Sequence, residues 1–492
     1  MKLVRLLSII LLSLAFNQSY AQLPPAPYGA LPSERQLKWH ETEVYGLVHF
    51  TPTTFENKEW GYGDADPKIF NPVAFDADKI VAAFKAGGLK GMVLVAKHHD
   101  GFALWPTKTT DYNISKSPFR NGKGDMVKEL EQACRKAGLK FGVYCSPWDR
   151  NNPVYGTFDY VKAYREQLRE LYTQYGELFM SWHDGANGGD GYYGGARTSR
   201  KINRDTYYGW DTTWAITRKL QPMANLFSDI GWDVRWVGNE SGFAGETSWA
   251  TFTPVPAKGE SIAFPGNLDH TQNPFGTRGG QNWVPAECDV PLRPGWFWHP
   301  EQKGKTKSPE QLFQLYLKSV GRGAALDLGI APDTRGLIDA EDEKALAGFG
   351  ELVSKSFSNN LIATAKLKAT GSRGKDFPIN NLIDGNLNSY WASIDDMHLP
   401  VIEASWNKPQ TFDLIRLREF IPLGQRIESF DIEALVSGQW FKVGQATSVG
   451  ACRIVMLEKP VTADGVRIKV TASPVAVTFS EIGVYKSALQ SK

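Results

Sequence analysis

The chain has 492 residues, more than one ordinary domain holds, so two or three domains are expected. Its 55 Lys and Arg against 53 Asp and Glu leave a net charge of +2 with no long charged block, which points away from nucleic acid and from acidic membrane surfaces. The 16 Trp, 18 Tyr and 26 Phe in a chain with this much charge offer flat apolar faces beside polar groups, the mixture that sugar rings require.

Residues 1–21 have the form of an export signal. Lys2 and Arg5 make the basic start, Leu6 to Phe16 the apolar run, and Ser19-Tyr20-Ala21 a small-x-small cleavage site before Gln22. That run is too short to span a bilayer, and no Cys follows it to take a lipid. The mature chain is therefore expected to be exported, periplasmic or secreted, with no membrane anchor. Cys134, Cys145, Cys288 and Cys452 are widely spaced, without metal-ligand spacing, and no functional disulfide is expected.

From about residue 40 to 335, apolar runs alternate with helical patterns, which predicts an α/β fold with a parallel sheet. Eight strands are expected, at 45–50, 91–97, 141–146, 178–183, 225–229, 235–238, 296–299 and 324–330. Eight is the count of a closed (β/α)8 TIM-like barrel. An open doubly wound sheet would call for a GxGxxG turn after its first strand, and residues 45–50 have none. Helices are expected at 125–140, where Val127, Leu130, Cys134 and Ala137 share a face, at 158–175, and after the Ser308 cap.

The pattern changes after the expected helix at 339–355. Short alternating runs follow at 402–406, 412–417, 429–435, 440–443, 453–457, 465–470 and 482–485, which predicts an antiparallel all-β sandwich. The expected division is a leader at 1–21, a barrel at 22–350 and a sandwich at 351–492.

In a barrel the chemistry sits where strands end. The fourth run, Leu178-Phe179-Met180-Ser181-Trp182-His183-Asp184, stops at an acid and enters a glycine-rich loop. Other runs end at His49, at Lys97-His98-His99-Asp100, at Tyr144 and at Asn239-Glu240, and the expected seventh carries Trp296, Trp298 and His299. Together they describe a ring of His, Trp and carboxylates around one mouth. Glycoside hydrolysis needs two carboxyl groups flanking the bond. Asp184 is the candidate nucleophile and Glu240 the candidate acid/base, since aromatic neighbours (Trp236, Phe243, Trp249) favour its protonated form. Glu246 stays open as an alternative. On a strand the adjacent His98 and His99 would face opposite sides and could not share an ion, so a metal centre is not expected. Neutral His49, His98, His99 and His183 could bind ring hydroxyls, with Trp60 as a stacking face.

Residues 39–50, the Glu59-Trp60 pair, residues 97–102 and Gly142-Val143-Tyr144-Cys145-Ser146 resemble, in order, the strand motifs of the glycoside hydrolase family 29 α-L-fucosidases. So do Trp182-His183-Asp184-Gly185, Arg235-Trp236-Val237-Gly238-Asn239-Glu240 and residues 320–333. The resemblance implies a retaining exo-α-L-fucosidase that needs no cofactor and acts on fucosylated oligosaccharides or glycoconjugates. It places Asp184 on the nucleophile, and His49, Glu59, Trp60, His98, His99 and Tyr144 on fucose-binding positions. His183, Arg235 and Trp298 join the expected substrate-binding set. The Gly238-Asn239-Glu240 form resembles the subgroup preferring α1,3/1,4-linked fucose. Two positions depart from the family pattern: His183 before the nucleophile, and Asp327 where the family commonly carries Asn. Residues 381–392 and 479–485 resemble a discoidin-type sandwich, which supports the barrel or binds sugar, and whose 384–388 turn could hold a structural calcium. A catalytically silent glycan-binding protein and another retaining exo-glycosidase remain as alternatives.

Overall fold

The computed structural model describes residues 22–189 and 191–489. The expected export signal lies outside the described residues.

Eight parallel strands close a barrel: β1 (Val44–Val48), β2 (Gly91–Lys97), β3 (Lys140–Cys145), β4 (Met180–Trp182), β5 (Asn225–Ser228), β6 (Val234–Trp236), β7 (Ala286–Pro291) and β8 (Ala325–Gly329). They neighbour one another in chain order, and β8 returns to pair with β1. Strands such as β2 are buried at every residue, which is why they show as unbroken apolar runs.

The seventh strand is a correction. It lies at Ala286–Pro291 rather than at 296–299, which belongs to the loop beyond it. Ala286-Glu287-Cys288-Asp289-Val290-Pro291 places two acids two residues apart, on one face. Glu287 accepts from the Trp182 indole at 2.7 Å and from the Tyr45 hydroxyl, so that face is the barrel interior. A strand with carboxyl groups inside has no apolar signature.

Six of the helices follow barrel strands. They are Ala77–Ala86, Met126–Ala137, Phe158–Gln174, Trp210–Leu220, Pro309–Lys318 and Ala340–Ser356. Met126–Ala137 begins at an Asp125 side chain that accepts the Lys128 N–H, and ends at Gly138, whose φ of 75° suits a residue without Cβ. Ser308 forms a capping box with Gln311. Between β6 and β7 the described chain has no α-helix, only short strand pairs and a 3-10 turn at His270–Gln272. This long connection folds over the barrel mouth.

The C-terminal region is an antiparallel β-sandwich of seven strands. Two pairs of expected short strands are in fact single long ones, Val401–Glu419 and Arg453–Ala472. Register shifts between Ser405 and Gln410 and between Phe412 and Leu414 interrupt their pairing. Pro409 falls in the first interruption, where a missing N–H costs no ladder bond. The sandwich is tied to the barrel by Arg418, which bonds Glu43 at 2.5 Å and Glu481 at 3.1 Å, and by side-chain contacts to the loop after Glu240. Among the described residues no group of three or more His, Cys, Asp or Glu is gathered as metal ligands would be. In the 384–388 turn, Asp384 accepts the Asn386 N–H at 2.8 Å and the Ser389 hydroxyl, closing the turn on itself. All four cysteines are buried thiols. No helix among the described residues is long and apolar enough to cross a membrane.

Candidate active site

The strand ends of one barrel face surround a cavity of about 290 Å³, at the small end of the range for ligand sites (about 300–1,000 Å³). It suits one sugar ring. β1 supplies His49 and the following loop Trp60. The end of β2 supplies His98 and His99, and β3 supplies Tyr144. β4 runs into Trp182 and Asp184, β5 into Phe227 and Asp229, β6 into Trp236 and Glu240, and β7 brings Asp289 and the Trp296 loop. His270 enters from the long β6–β7 connection.

Asp184 is held from two sides. The Tyr144 hydroxyl donates to its Oδ2 at 2.6 Å and the Ala186 N–H to its Oδ1 at 2.8 Å. Burial pushes its carboxyl above the ordinary value, and those two donors pull it back toward the anion. Tyr144 is itself packed at a tilt against Trp182, with ring centroids 4.8 Å apart.

Glu240 stands at the rim, an exposed residue that also lines the cavity. Its carboxyl is raised above the usual range, first by partial desolvation, and further by the nearby Asp184 and Glu59 carboxylates, against a hydrogen bond from Trp296. One cavity thus holds two carboxyl groups, Asp184 with two hydrogen-bond donors on it and Glu240 at the rim without such a pair. Glu246 does not line that cavity; it lies among the basic groups of Arg322 and Arg453.

The histidines are neutral. Burial lowers His49 and His99 to about 3 and carries His98 well below its ordinary value. The Nδ1 atoms of His49 and His98 are buried without a partner. His98 and His99 correct the expectation of opposite faces: β2 stops at Lys97, so strand alternation no longer governs them. Both line the cavity, with ring centroids 4.1 Å apart. Lys97 turns outward, buried against Gln167 at 2.8 Å, Tyr160 at 3.1 Å and Asp149 at 3.3 Å.

The family model described as Alpha-L-fucosidase matches residues 28–356, and the F5/8 type C domain model matches residues 366–482. The chain belongs to the α-L-fucosidase family. It is a glycoside hydrolase. Alpha-L-fucosidase 1 of Arabidopsis thaliana is 39% identical over 485 residues, 97% of this chain and 92% of that one. A glycoside hydrolase 29 family member from an unknown rumen bacterium has a TM-score of 0.83 at 37% identity, covering 95% of this chain and 79% of that one. A GH29 fucosidase of Ruminococcus gnavus, solved in complex with fucose, has a TM-score of 0.82 at 28% identity, over 95% of this chain and 97% of that one.

Against this fucosidase site, four expected substrate contacts sit elsewhere. His183 points away from the cavity and is buried between Tyr164 (3.1 Å) and Ser181 (3.0 Å), beside Trp210 and Trp214. It directly precedes Asp184, and neighbours on an extended chain face opposite ways. Arg235, fully buried, donates to the carbonyls of Asn273 at 3.0 Å, Trp249 at 3.1 Å and Val284, and so pins the β6–β7 connection. Trp298 does not line the cavity; Trp296, two residues earlier, does. Glu59 accepts from the Phe297 N–H (3.4 Å), from the Trp296 N–H and from His299 Nε2 (2.8 Å), which ties it to the Trp296 loop, outside the cavity lining but near enough to Glu240 to raise that carboxyl.

Asp229, His270 and Asp289 also line the cavity, beyond the residues expected from the sequence. Asp229 ends β5 as Asp184 ends β4, so its signal was present. Its carboxyl is raised to about 7, by burial first and by the Asp184 charge, although the Gly266 N–H at 2.9 Å opposes this. Asp289 was hidden with the seventh strand. It accepts from the Trp236 indole at 2.7 Å, and burial with the neighbouring Glu287 and Glu240 carries it well above its ordinary value. His270 lies in a loop with no local pattern and packs edge-on against Trp236, centroids 5.0 Å apart.

Proposed function

We propose that this α-L-fucosidase releases terminal α-L-fucose with retention of configuration. Asp184 attacks the anomeric carbon and forms a glycosyl ester, while Glu240 gives its proton to the departing glycosidic oxygen. Glu240 then takes a proton from water as that water attacks the same carbon, which releases fucose and restores both carboxyl groups. The observation that carries this reading is the cavity shared by Asp184, with its two donors, and Glu240, raised above the ordinary carboxyl range. His49, His98 and His99 supply neutral acceptors and donors to the ring hydroxyls, and Trp60 and Trp296 supply apolar faces. The fucose bound in the Ruminococcus gnavus relative is consistent with a one-ring cavity. The Gly238-Asn239-Glu240 motif favours α1,3/1,4-linked fucose, and residues 1–21 favour export to the periplasm or beyond. No cofactor or metal enters these steps.

The test is hydrolysis of an aryl α-L-fucoside followed by proton NMR in the first seconds. α-L-Fucose should appear first and β-L-fucose only by later mutarotation. β-L-Fucose appearing first would replace retention with inversion. Absence of nitrophenol release would leave a silent glycan-binding protein.

A further inference from the structure

The chain leaves the cavity wall along Trp60-Gly61-Tyr62-Gly63-Asp64, in which exposed and buried residues alternate. Trp60, Tyr62 and Asp64 face solvent while Gly61 and Gly63 face the protein. The glycines are required there. A Cβ on Gly61 would come within 2.5 Å of Thr53 Oγ1, and one on Gly63, whose φ is +75°, within 2.5 Å of the Arg150 carbonyl carbon. Backbone pressed down at every second residue presents the aromatic rings outward as a row. Trp60, 46% exposed, lines the catalytic cavity, and Tyr62, 44% exposed, is the next ring outside it.

A second segment completes this row. The hairpin of Gly191–Tyr193 and Thr198–Arg200, which follows the Asp184 loop, brings Tyr192 (47% exposed) beside Tyr62. Their centroids are 6.4 Å apart at 54°, so the two rings form an open angle rather than a closed stack. The arrangement is held from beneath. Arg150, itself 8% exposed, lies 4.1 Å from the Tyr62 ring and donates to the carbonyls of Gly61 (3.2 Å) and Tyr192 (3.0 Å). The Gly194 N–H bonds the Tyr62 carbonyl at 2.9 Å. Asp64, two residues after Tyr62, is exposed as well.

We infer that Tyr62 and Tyr192 form a second carbohydrate subsite, continuous with the catalytic cavity through Trp60, which takes a more distant ring of the glycan that carries the fucose. The inference rests on the fucosidase reading, and it narrows the substrate class to oligosaccharides with more than one sugar beyond the fucose. Two exposed aromatic faces with the exposed Asp64 carboxyl close by in the chain suit a pyranose, which has apolar C–H faces and a polar rim.

The experiment compares two substrates in the full-length enzyme. Tyr62→Ala, Tyr192→Ala and the double variant should keep kcat/KM on an aryl α-L-fucoside within two-fold of wild type. On a fucosylated pentasaccharide they should lose about ten-fold or more, chiefly through KM, and Tyr192→Trp should retain most of the wild-type value. Tyr192 bears on folding less than Tyr62, which stacks on Arg150, so the Tyr192 pair keeps the test open if Tyr62→Ala fails to fold. Equal loss on both substrates, or no loss on the pentasaccharide, overturns the subsite. Titration of Asp184→Ala with free fucose separates this from the parent reading. If fucose does not bind, the fucosidase reading fails. If fucose binds and the tyrosine variants leave pentasaccharide affinity unchanged, only the subsite fails.

Discussion

His99 Nε2 lies 3.4 Å from Asp184 Oδ2, and the two atoms meet as acceptors. The assignment follows from Ser146. Its hydroxyl is 2.7 Å from the Trp148 carbonyl, which can only accept, so it donates there and accepts from His99 Nδ1–H at 2.8 Å. The ring is neutral, lowered to about 3 chiefly by burial, with Arg150 and Lys97 adding to it. Nε2 is therefore a lone pair beside a carboxylate, and a donor such as a fucose hydroxyl would satisfy both. Ser146→Ala should free the ring to protonate at Nε2 and donate to Asp184 instead. KM for an aryl α-L-fucoside should then rise about ten-fold, the value of one hydrogen bond near 1–1.5 kcal/mol. The ¹⁵N shifts of His99 should report the exchanged tautomer. An unchanged tautomer with unchanged KM would remove Ser146 from the site's design.

The barrel was legible because its buried strands are apolar on both faces, and Asp184 because it ends such a strand at a glycine-rich loop. What escaped the sequence was whatever depended on contacts distant in the chain. Glu287 and Asp289 make β7 look like a surface segment until Tyr45, Trp182 and Trp236 are seen to bond them. Arg235 lies five residues before Glu240 in sequence, yet burial and three backbone carbonyls make it structural. His183 adjoins Asp184, and the alternation of an extended chain turns it away. The two long sandwich strands were cut in two by turn-forming residues that fall at bulges rather than at ends.

Asp327 makes stability pH-dependent. It is fully buried in β8 near Glu287, and burial with that neighbouring carboxyl pushes it well above its ordinary value. The folded chain thus carries a proton that the unfolded chain releases above about pH 4. Stability from this group is complete below that pH and is lost as pH rises toward the folded value, at about 1.4 kcal/mol per unit for one proton. Asp327→Asn keeps the shape and removes the proton requirement. By calorimetry its Tm should exceed that of wild type at pH 9 by several degrees and approach it at pH 5. A constant difference at all pH values would show that Asp327 is ionised in the fold.

The sandwich supports the loop that follows Glu240. Gln425 accepts the Ala250 N–H at 2.9 Å and donates to the Ser248 carbonyl at 3.0 Å, while Ser448 accepts the Ser248 N–H at 3.1 Å. Gln425→Ala leaves two buried backbone groups without partners, at about 1–3 kcal/mol each. Its Tm should fall. Its kcat should fall several-fold on a sugar leaving group and less on dinitrophenyl fucoside, because only the former depends on where Glu240 stands. Equal loss on both would confine the effect to general stability.

The choice between Glu240 and Glu246 can be made by leaving-group chemistry. Asp184→Ala removes the first step, so it should lower turnover by several orders of magnitude on every substrate. The acid/base behaves differently. Dinitrophenolate departs without a proton, so Glu240→Ala should form the glycosyl ester on that substrate at a rate close to wild type. Hydrolysis of the ester then stalls for want of a base. Azide needs no base, and its addition should restore turnover and yield a fucosyl azide of retained configuration. On a natural oligosaccharide the same variant should lose at least a thousand-fold, because general acid catalysis commonly contributes about 10²–10⁴. Glu246 lies outside the cavity among Arg322 and Arg453, so Glu246→Ala should lose a few-fold at most and show no azide effect. Azide rescue of Glu246→Ala with none for Glu240→Ala would move the acid/base six residues along the loop and require that loop to reorganise when substrate binds.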